Sequence, residues 1–249
     1  IVYTTDGSEP TLTNGTQVAA ANAQSTPIAT ISISTTTTIR SAAFSGSFIP
    51  SNVDTQTYIY SAHVVTQPAN PAGWPTGSVN GQNLDYEMDT PSNINSNSAE
   101  IQSALEEIPS ISIVTDQDNL LDTSTGIYVN PGNRGELWER PASVEMIFPN
   151  GYTNPDGNTD GFGASCGLRI RGGFSRTKAN AKHSFRLFFK AEYGDSSLDY
   201  KLFGNDGASS FKRIDFRTAQ NYAWSLPSSN NGAKNTFIRD VFNRDTQRD

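Results

Sequence analysis

Between Arg169 and Lys190 the chain carries seven basic residues (Arg169, Arg171, Arg176, Lys178, Lys182, Arg186 and Lys190) and no acidic one. Gly172, Gly173, Ser175 and Arg176 sit inside this run. Glycine has no Cβ, so backbone N–H groups in such a loop can approach an anion closely. With Arg171, Arg176 and Lys182 around it, the loop is a candidate anion cradle. An ordinary hairpin with exposed cations reads equally well. Two adjacent glycines are a weak motif, and exposed strands often carry Lys and Arg.

Asp156-Gly157-Asn158-Thr159-Asp160-Gly161 follows the first half of a calcium loop, Asp-x-Asn-x-Asp-Gly. Oxygens of Asp156, Asn158 and Asp160 at alternate positions can converge on a hard cation such as Ca²⁺. The twelfth position is Gly167, where a bidentate Glu is needed. The alternative is a surface turn rich in Asx and Gly. Asp116-Gln117-Asp118-Asn119, with Asp122 nearby, is a third candidate site, whose plainer reading is turn and helix-cap chemistry. A single Cys, Cys166, excludes an internal disulfide framework. Two His residues, His63 and His183, supply little for a His-rich zinc site or a His-dependent triad.

These residues need elements to hold them. Residues 1–60 predict β structure, with turn signals at Asp6-Gly7-Ser8-Glu9-Pro10 and Asn14-Gly15 and an alternating run at Ile31-Ser32-Ile33-Ser34. Residues 63–97 read as a Pro/Asn/Gly-rich connector laid over a surface, packed through Trp74, Tyr86 and Met88. A helix is predicted from Ser98 to Ile108, capped by Asn97 and stopped by Pro109. Strands follow at Ser110–Val114, Gly126–Val129, Ala142–Phe148, Gly167–Arg171 and Ser184–Lys190. On the last two, apolar Leu168, Ile170, Phe185, Leu187 and Phe189 alternate with polar residues, and Phe188 breaks the polar face. A closing helix over 235–248 carries Phe237, Ile238, Val241 and Phe242 as its apolar stripe.

The 249 residues suit one large or two modest domains. Thirteen Phe, nine Tyr and three Trp supply a core, which argues against global disorder. No run approaches the ~18 apolar residues of a membrane-crossing helix, so no membrane span is expected. Net charge is -7, but unevenly placed. Residues 1–125 hold one basic residue, Arg40, against twelve acidic ones, while residues 126–249 hold seventeen basic and thirteen acidic. The acidic half argues against general nucleic-acid binding. The chain begins in strand-like Ile1-Val2-Tyr3 and ends in a helical pattern, so it is expected to be part of a longer protein.

Tyr3-Thr4-Thr5-Asp6-Gly7-Ser8-Glu9-Pro10-Thr11 resembles the signature of the chitobiase/β-hexosaminidase C-terminal type module. Thr35-Thr36-Thr37-Thr38-Ile39-Arg40-Ser41-Ala42-Ala43-Phe44, Pro50-Ser51 and Thr55-Gln56-Thr57-Tyr58 continue the pattern. This resemblance implies a small immunoglobulin-like β-sandwich over 1–62, partial because its opening strands are missing. Such modules act as spacers or accessory units in secreted bacterial proteins.

The remainder resembles the amino-terminal half of a CotH-type protein, the spore-coat kinase-like family. The residues that carry this are Ile127-Tyr128-Val129-Asn130, Trp138-Glu139-Arg140-Pro141-Ala142, Leu168-Arg169-Ile170-Arg171-Gly172-Gly173-Phe174-Ser175-Arg176, Lys182-His183-Ser184-Phe185-Arg186-Leu187-Phe188-Phe189-Lys190, Leu202-Phe203-Gly204 and Ile238-Arg239-Asp240. The resemblance implies the N-terminal lobe of an atypical kinase-like domain over 98–249, an α+β, β-rich chain in all. It implies ATP with Mg²⁺ or Mn²⁺ (Mg/Mn) as cofactors of the intact protein. It also places Arg171, Gly172, Gly173, Ser175, Arg176 and Lys182 against nucleotide phosphates, with Asp240 as a partner for Lys182. The base and metal carboxylate of such a fold lie in a second lobe, so this chain alone is expected to be inactive.

Three functional classes follow. One is part of a secreted CotH-like protein that phosphorylates Ser or Thr of an extracellular or envelope protein. The second is a non-catalytic structural or adhesive surface protein, whose partners include further copies of itself. The third is a carbohydrate-associated module, in which Trp74, Trp138 or Trp224 stacks on sugar. All three imply an exported bacterial protein at the cell surface or outside it.

Overall fold

The computed structural model describes residues 1–88, 91–154, 157–218 and 246. It is β-rich, with few helices and several antiparallel sheets. The first sheet comes wholly from residues 2–58: β1 (Val2–Thr4), β2 (Thr16–Gln17), β3 (Thr37–Ala42) and β4 (Asp54–Tyr58), ordered β2-β1-β3-β4. Val2 opposes Ala42 and Thr4 opposes Arg40, which sets these four on one face. Thr55 opposes Arg40 and joins them. All five are buried.

A short helix α1 (Ser61–Val65) and a two-residue hairpin, β5 (Ser78–Val79) with β6 (Gln82–Asn83), lie in the connector. Helix α2 (Pro91–Leu105) breaks at Asn97, whose φ of -134° is not helical. The helical turn therefore restarts at Ser98, where a capping Asn97 predicts it. It stops at Leu105 rather than Ile108.

The second sheet orders β13-β10-β9-β8-β7, all antiparallel. Its strands are β7 (Ser110–Val114), β8 (Arg140–Ile147), β9 (Phe162–Arg171), β10 (Ser184–Phe188) and β13 (Arg213–Phe216). Between β7 and β8 lies the five-residue helix α3 (Gln117–Leu121), and β11 (Leu198–Asp199) with β12 (Ser210–Phe211) forms a small hairpin before β13. Registers Leu187 to Leu168, Phe185 to Ile170 and Cys166 to Ala142 stack apolar residues on one face. There Ala142, Val144, Cys166, Leu168, Ile170, Leu187, Phe189 and Ile214 build the core with Ile127 and Leu198. Fully burying one Leu of this kind contributes roughly 1.5–3 kcal/mol.

Gly126–Val129 is a correction. It is a turn, not a strand: Ile127 and Tyr128 donate backbone hydrogen bonds to Asn119 and Leu120 carbonyls. Ile127 and Val129 are buried because the turn plugs the core, which gives a strand-like apolar run without a ladder. Ile31–Ser34 pairs with no strand among the described residues. The predicted helix over 235–248 lies outside the described residues.

The polar face of the second sheet is covered on its β7–β8 side by strand β4. Thr55 Oγ1 donates to Ser143 Oγ at 2.8 Å, and Thr57 donates its backbone N–H to Glu145 Oε1 at 3.1 Å and its hydroxyl to Oε2 at 2.5 Å. Ser143 and Glu145 are buried by this cover. A second tie joins the same two sheets: Arg40 Nη1 lies 3.2 Å from Asp116 Oδ1, which also accepts the Glu9 N–H at 2.7 Å.

Candidate functional site

The glycine-bearing loop leaves β9 at Arg171 and enters β10 at Ser184. Gly172 has φ +121°, and a Cβ there would lie 2.0 Å from Ser175 Oγ. Glycine is therefore required for the turn itself. Gly173 faces open space. Phe174–Arg176 then forms one 3-10 turn, in which the N–H of Arg176 donates to Gly173 O at 3.1 Å and that of Thr177 to Phe174 O at 3.0 Å. These two donors close the turn and are not aimed outward.

Arg176 binds carbonyls. Its Nε donates to Gly172 O at 3.0 Å, and Nη1 donates to Pro131 O at 2.8 Å and Asn133 O at 2.7 Å. Nη2 donates to Ile170 O. The guanidinium thus pins the loop to the strand before it and to the 131–133 turn. Lys178 Nζ donates to Asn80 O in the connector hairpin.

The far end of the loop is held by a buried polar network. His183 Nδ1 lies 3.0 Å from Ser175 O and its Nε2 lies 2.8 Å from Gln82 Oε1. Gln82 is fully buried and donates from Nε2 to Asn83 O at 3.0 Å and Asn180 O at 2.8 Å. Tyr128 donates its hydroxyl to Ala181 O at 2.6 Å and sets its ring edge-on to His183. Burial, the larger effect, and the charge of Arg176 hold the His183 pKa below its ordinary value, against the pull of the Ser175 carbonyl.

Four further cations of the run, Arg169, Arg171, Arg186 and Lys190, meet acids distant in sequence. Arg171 Nε lies 2.9 Å from Asp215 Oδ2, and Arg186 Nη2 lies 2.7 Å from the same oxygen. These two guanidinia, Arg186 first, hold the Asp215 carboxyl below its ordinary range. Glu139, buried on the same face, meets Arg169 at 2.5 Å, Lys190 Nζ at 2.7 Å and the Tyr193 hydroxyl at 2.8 Å. Burial opposes its charge, but the hydrogen bonds from Lys190, Tyr193 and Arg169 together prevail and lower its pKa. Gly167 makes room for it: a Cβ there would lie 2.6 Å from Glu139 Oε1. Phe188 sits on this polar face under the Arg169 guanidinium, 4.2 Å from ring centre to Cζ.

The residues proposed for a triphosphate cradle therefore share the segment between β9 and β10. Arg171 and Arg176 already have partners. Lys182 is exposed and makes no hydrogen bond or ion pair among the described residues. As arranged, the described residues do not fit a bound triphosphate.

Asp156 lies outside the described residues. Asn158 donates its N–H to Asn154 Oδ1 at 2.8 Å, and Asn154 N–H returns to Asn158 O at 2.9 Å, which ties these two residues together. Asn158 and Asp160 line an open cleft of about 660 Å³ with Asp199, Tyr200 and Ser210. Among the described residues, no three His, Cys, Asp or Glu side chains gather to hold a metal ion. Asp122 caps a turn through the N–H groups of Ser124 and Thr125, as turn chemistry requires, whereas Asp116 makes no helix cap and ties the two sheets instead.

Trp74 packs edge-on to Tyr86 at 5.5 Å and Trp138 lies under Arg140. Trp224 and Asp240 lie outside the described residues. Sequence reasoning missed Glu139, Tyr193 and Gln82 as organising groups. Glu139 sits beside the strand start at Arg140, but nothing in the local spacing marks its cationic partners.

No family model matches the chain. No curated protein and no solved structure matches it either.

Proposed function

We propose that this chain is a non-catalytic structural or adhesive unit of an exported bacterial surface protein. The first sheet serves as a spacer of the chitobiase C-terminal, immunoglobulin-like type, and the second retains a kinase-lobe-like frame without its chemistry. The observation that carries this reading is the Arg176 guanidinium: every one of its three nitrogens donates to a backbone carbonyl. Four of its five N–H donors are engaged in this way, which fixes the loop and leaves no paired fork of donors for a phosphate. The polar, hydrogen-bonded seam between the two sheets supports the same reading, because it joins them as one rigid spacer.

A second reading is favoured by one residue. Lys182 is an exposed cation in the loop that carries Gly172 and Gly173, with no partner among the described residues. In the intact protein it would be the group that meets an ATP phosphate in a CotH-like transfer to an extracellular or envelope protein. Mg²⁺ or Mn²⁺ would come with the nucleotide, and Ca²⁺ would need oxygens beyond Asn158 and Asp160.

Thermal shift assays separate the readings. The scaffold reading gives an unchanged melting temperature with ATP plus Mg²⁺, with ATP plus Mn²⁺ and with Ca²⁺. A saturable rise with either nucleotide mixture overturns it. A rise with Ca²⁺ that Asp160→Ala abolishes establishes the metal site.

A further inference from the structure

Residues 25–34 alternate strictly between half-buried and exposed: Pro27, Ala29, Ile31 and Ile33 turn inward, and Ile28, Thr30, Ser32 and Ser34 turn out. This is the side-chain pattern of a strand packed on one face. Yet residues 26–34 join no ladder and no backbone N–H in them makes a hydrogen bond among the described residues. One carbonyl, that of Ile33, accepts from the Tyr60 hydroxyl at 3.0 Å. A strand-shaped segment with an unpaired backbone is a docking edge for another strand.

We infer that this edge pairs with its own copy, two chains running antiparallel about a two-fold axis through Ile31. Three features point to that occupant. First, no charged residue occurs between Glu9 and Arg40. The edge thus lacks the Lys or Glu that natural edges use to repel a like strand, on a molecule whose net charge is -7. Second, a two-fold through a residue preserves the alternation. Ala29 meets Ile33, Ile31 meets Ile31, and the inward row of one chain continues that of the other. Third, Pro27, which has no N–H, falls at the end of this ladder, where proline is tolerated. Ile28, 80% exposed, gains cover beside Ser34 of the other copy. The edge alone is smaller than the roughly 1,200 Å² of a standard interface, so pairing is concentration-dependent. This inference goes beyond the scaffold reading and does not depend on it.

The register makes a charge test. Thr30 of one copy faces Ser32 of the other, and both side chains point out, away from the packed face. Sedimentation velocity on the whole chain, from micromolar to millimolar, is expected to show a shift toward twice the monomer mass. Thr30→Lys with Ser32→Lys places like charges opposite each other and is expected to leave monomer at all concentrations. Thr30→Lys with Ser32→Glu places opposite charges together and is expected to restore the dimer. Monomer throughout in the unaltered chain overturns the inference. So does a dimer that both variants leave unchanged.

Discussion

Gln82 and His183 are 101 residues apart in sequence, and their side chains meet at 2.8 Å inside the protein. The Gln82 amide is oriented by two carbonyls, Asn83 and Asn180, so its oxygen must face the imidazole. This joins the connector hairpin to the loop that leaves β9. Gln82→Ala removes three hydrogen bonds from a buried site. It should cost about 2–3 kcal/mol, the upper part of the range for buried groups left unsatisfied. Urea denaturation of the variant checks this, and an unchanged midpoint would show that the clasp contributes nothing.

The same histidine gives a pH dependence. Both ring nitrogens face acceptors, which favours the cation, but burial and Arg176 outweigh that and keep the folded pKa below its ordinary 6.5. Between those two pKa values the unfolded chain binds more protons than the folded one. Stability from this group is therefore complete above about pH 6.5 and falls as pH drops through that value. Melting temperatures measured down to about pH 5 should show the decline. His183→Gln should flatten it.

Glu139 holds the polar face of the second sheet. Glu139→Gln leaves Arg169 and Lys190 facing an uncharged amide. The expected cost is about 2–4 kcal/mol, below the full value for a buried pair because Lys190 retains contact with water. Gly167→Ala should act similarly by displacing the carboxylate. The lowered pKa of Glu139 means that its contribution is present above its ordinary 4.5 and is lost as acid pH falls through the folded value. Thermal melts of both variants, and an acid titration of the unaltered chain, test this. Unaltered stability in Glu139→Gln contradicts it.

What was legible in the sequence is what local alternation encodes. Ser110–Val114 and the inward row Leu168, Ile170, Leu187 and Phe189 follow from period-two patterning, and Asn97 marks where the helix restarts. The basic run from Arg169 to Lys190 is as legible, but its meaning is not. Two of its neutralising acids, Glu139 and Asp215, come from far outside the run, and the fold alone brings them across. Ile127 and Val129 show the converse failure: a buried turn has the apolar residues of a strand without its pairing. Residues 26–34 show a third, since a side-chain pattern specifies a strand but not its partner.

Asp116 supplies the charged part of the tie between the two sheets. Arg40 is buried, and among its contacts Asp116 supplies the counter-charge. Asp116→Ala should destabilise by about 2–4 kcal/mol, because an uncompensated buried cation remains. The loss should fall first on the first sheet, and urea unfolding should then resolve an earlier step for it. A single transition at the original midpoint would place the coupling elsewhere.

The most direct measurement is a calorimetric titration of ATP with Mg²⁺ into this chain and into its Lys182→Ala variant. If the glycine-bearing loop is an architectural clasp, neither gives a saturable heat at millimolar nucleotide and the two traces overlay. A micromolar Kd in the unaltered chain that Lys182→Ala abolishes would show that the loop cradles phosphate after all.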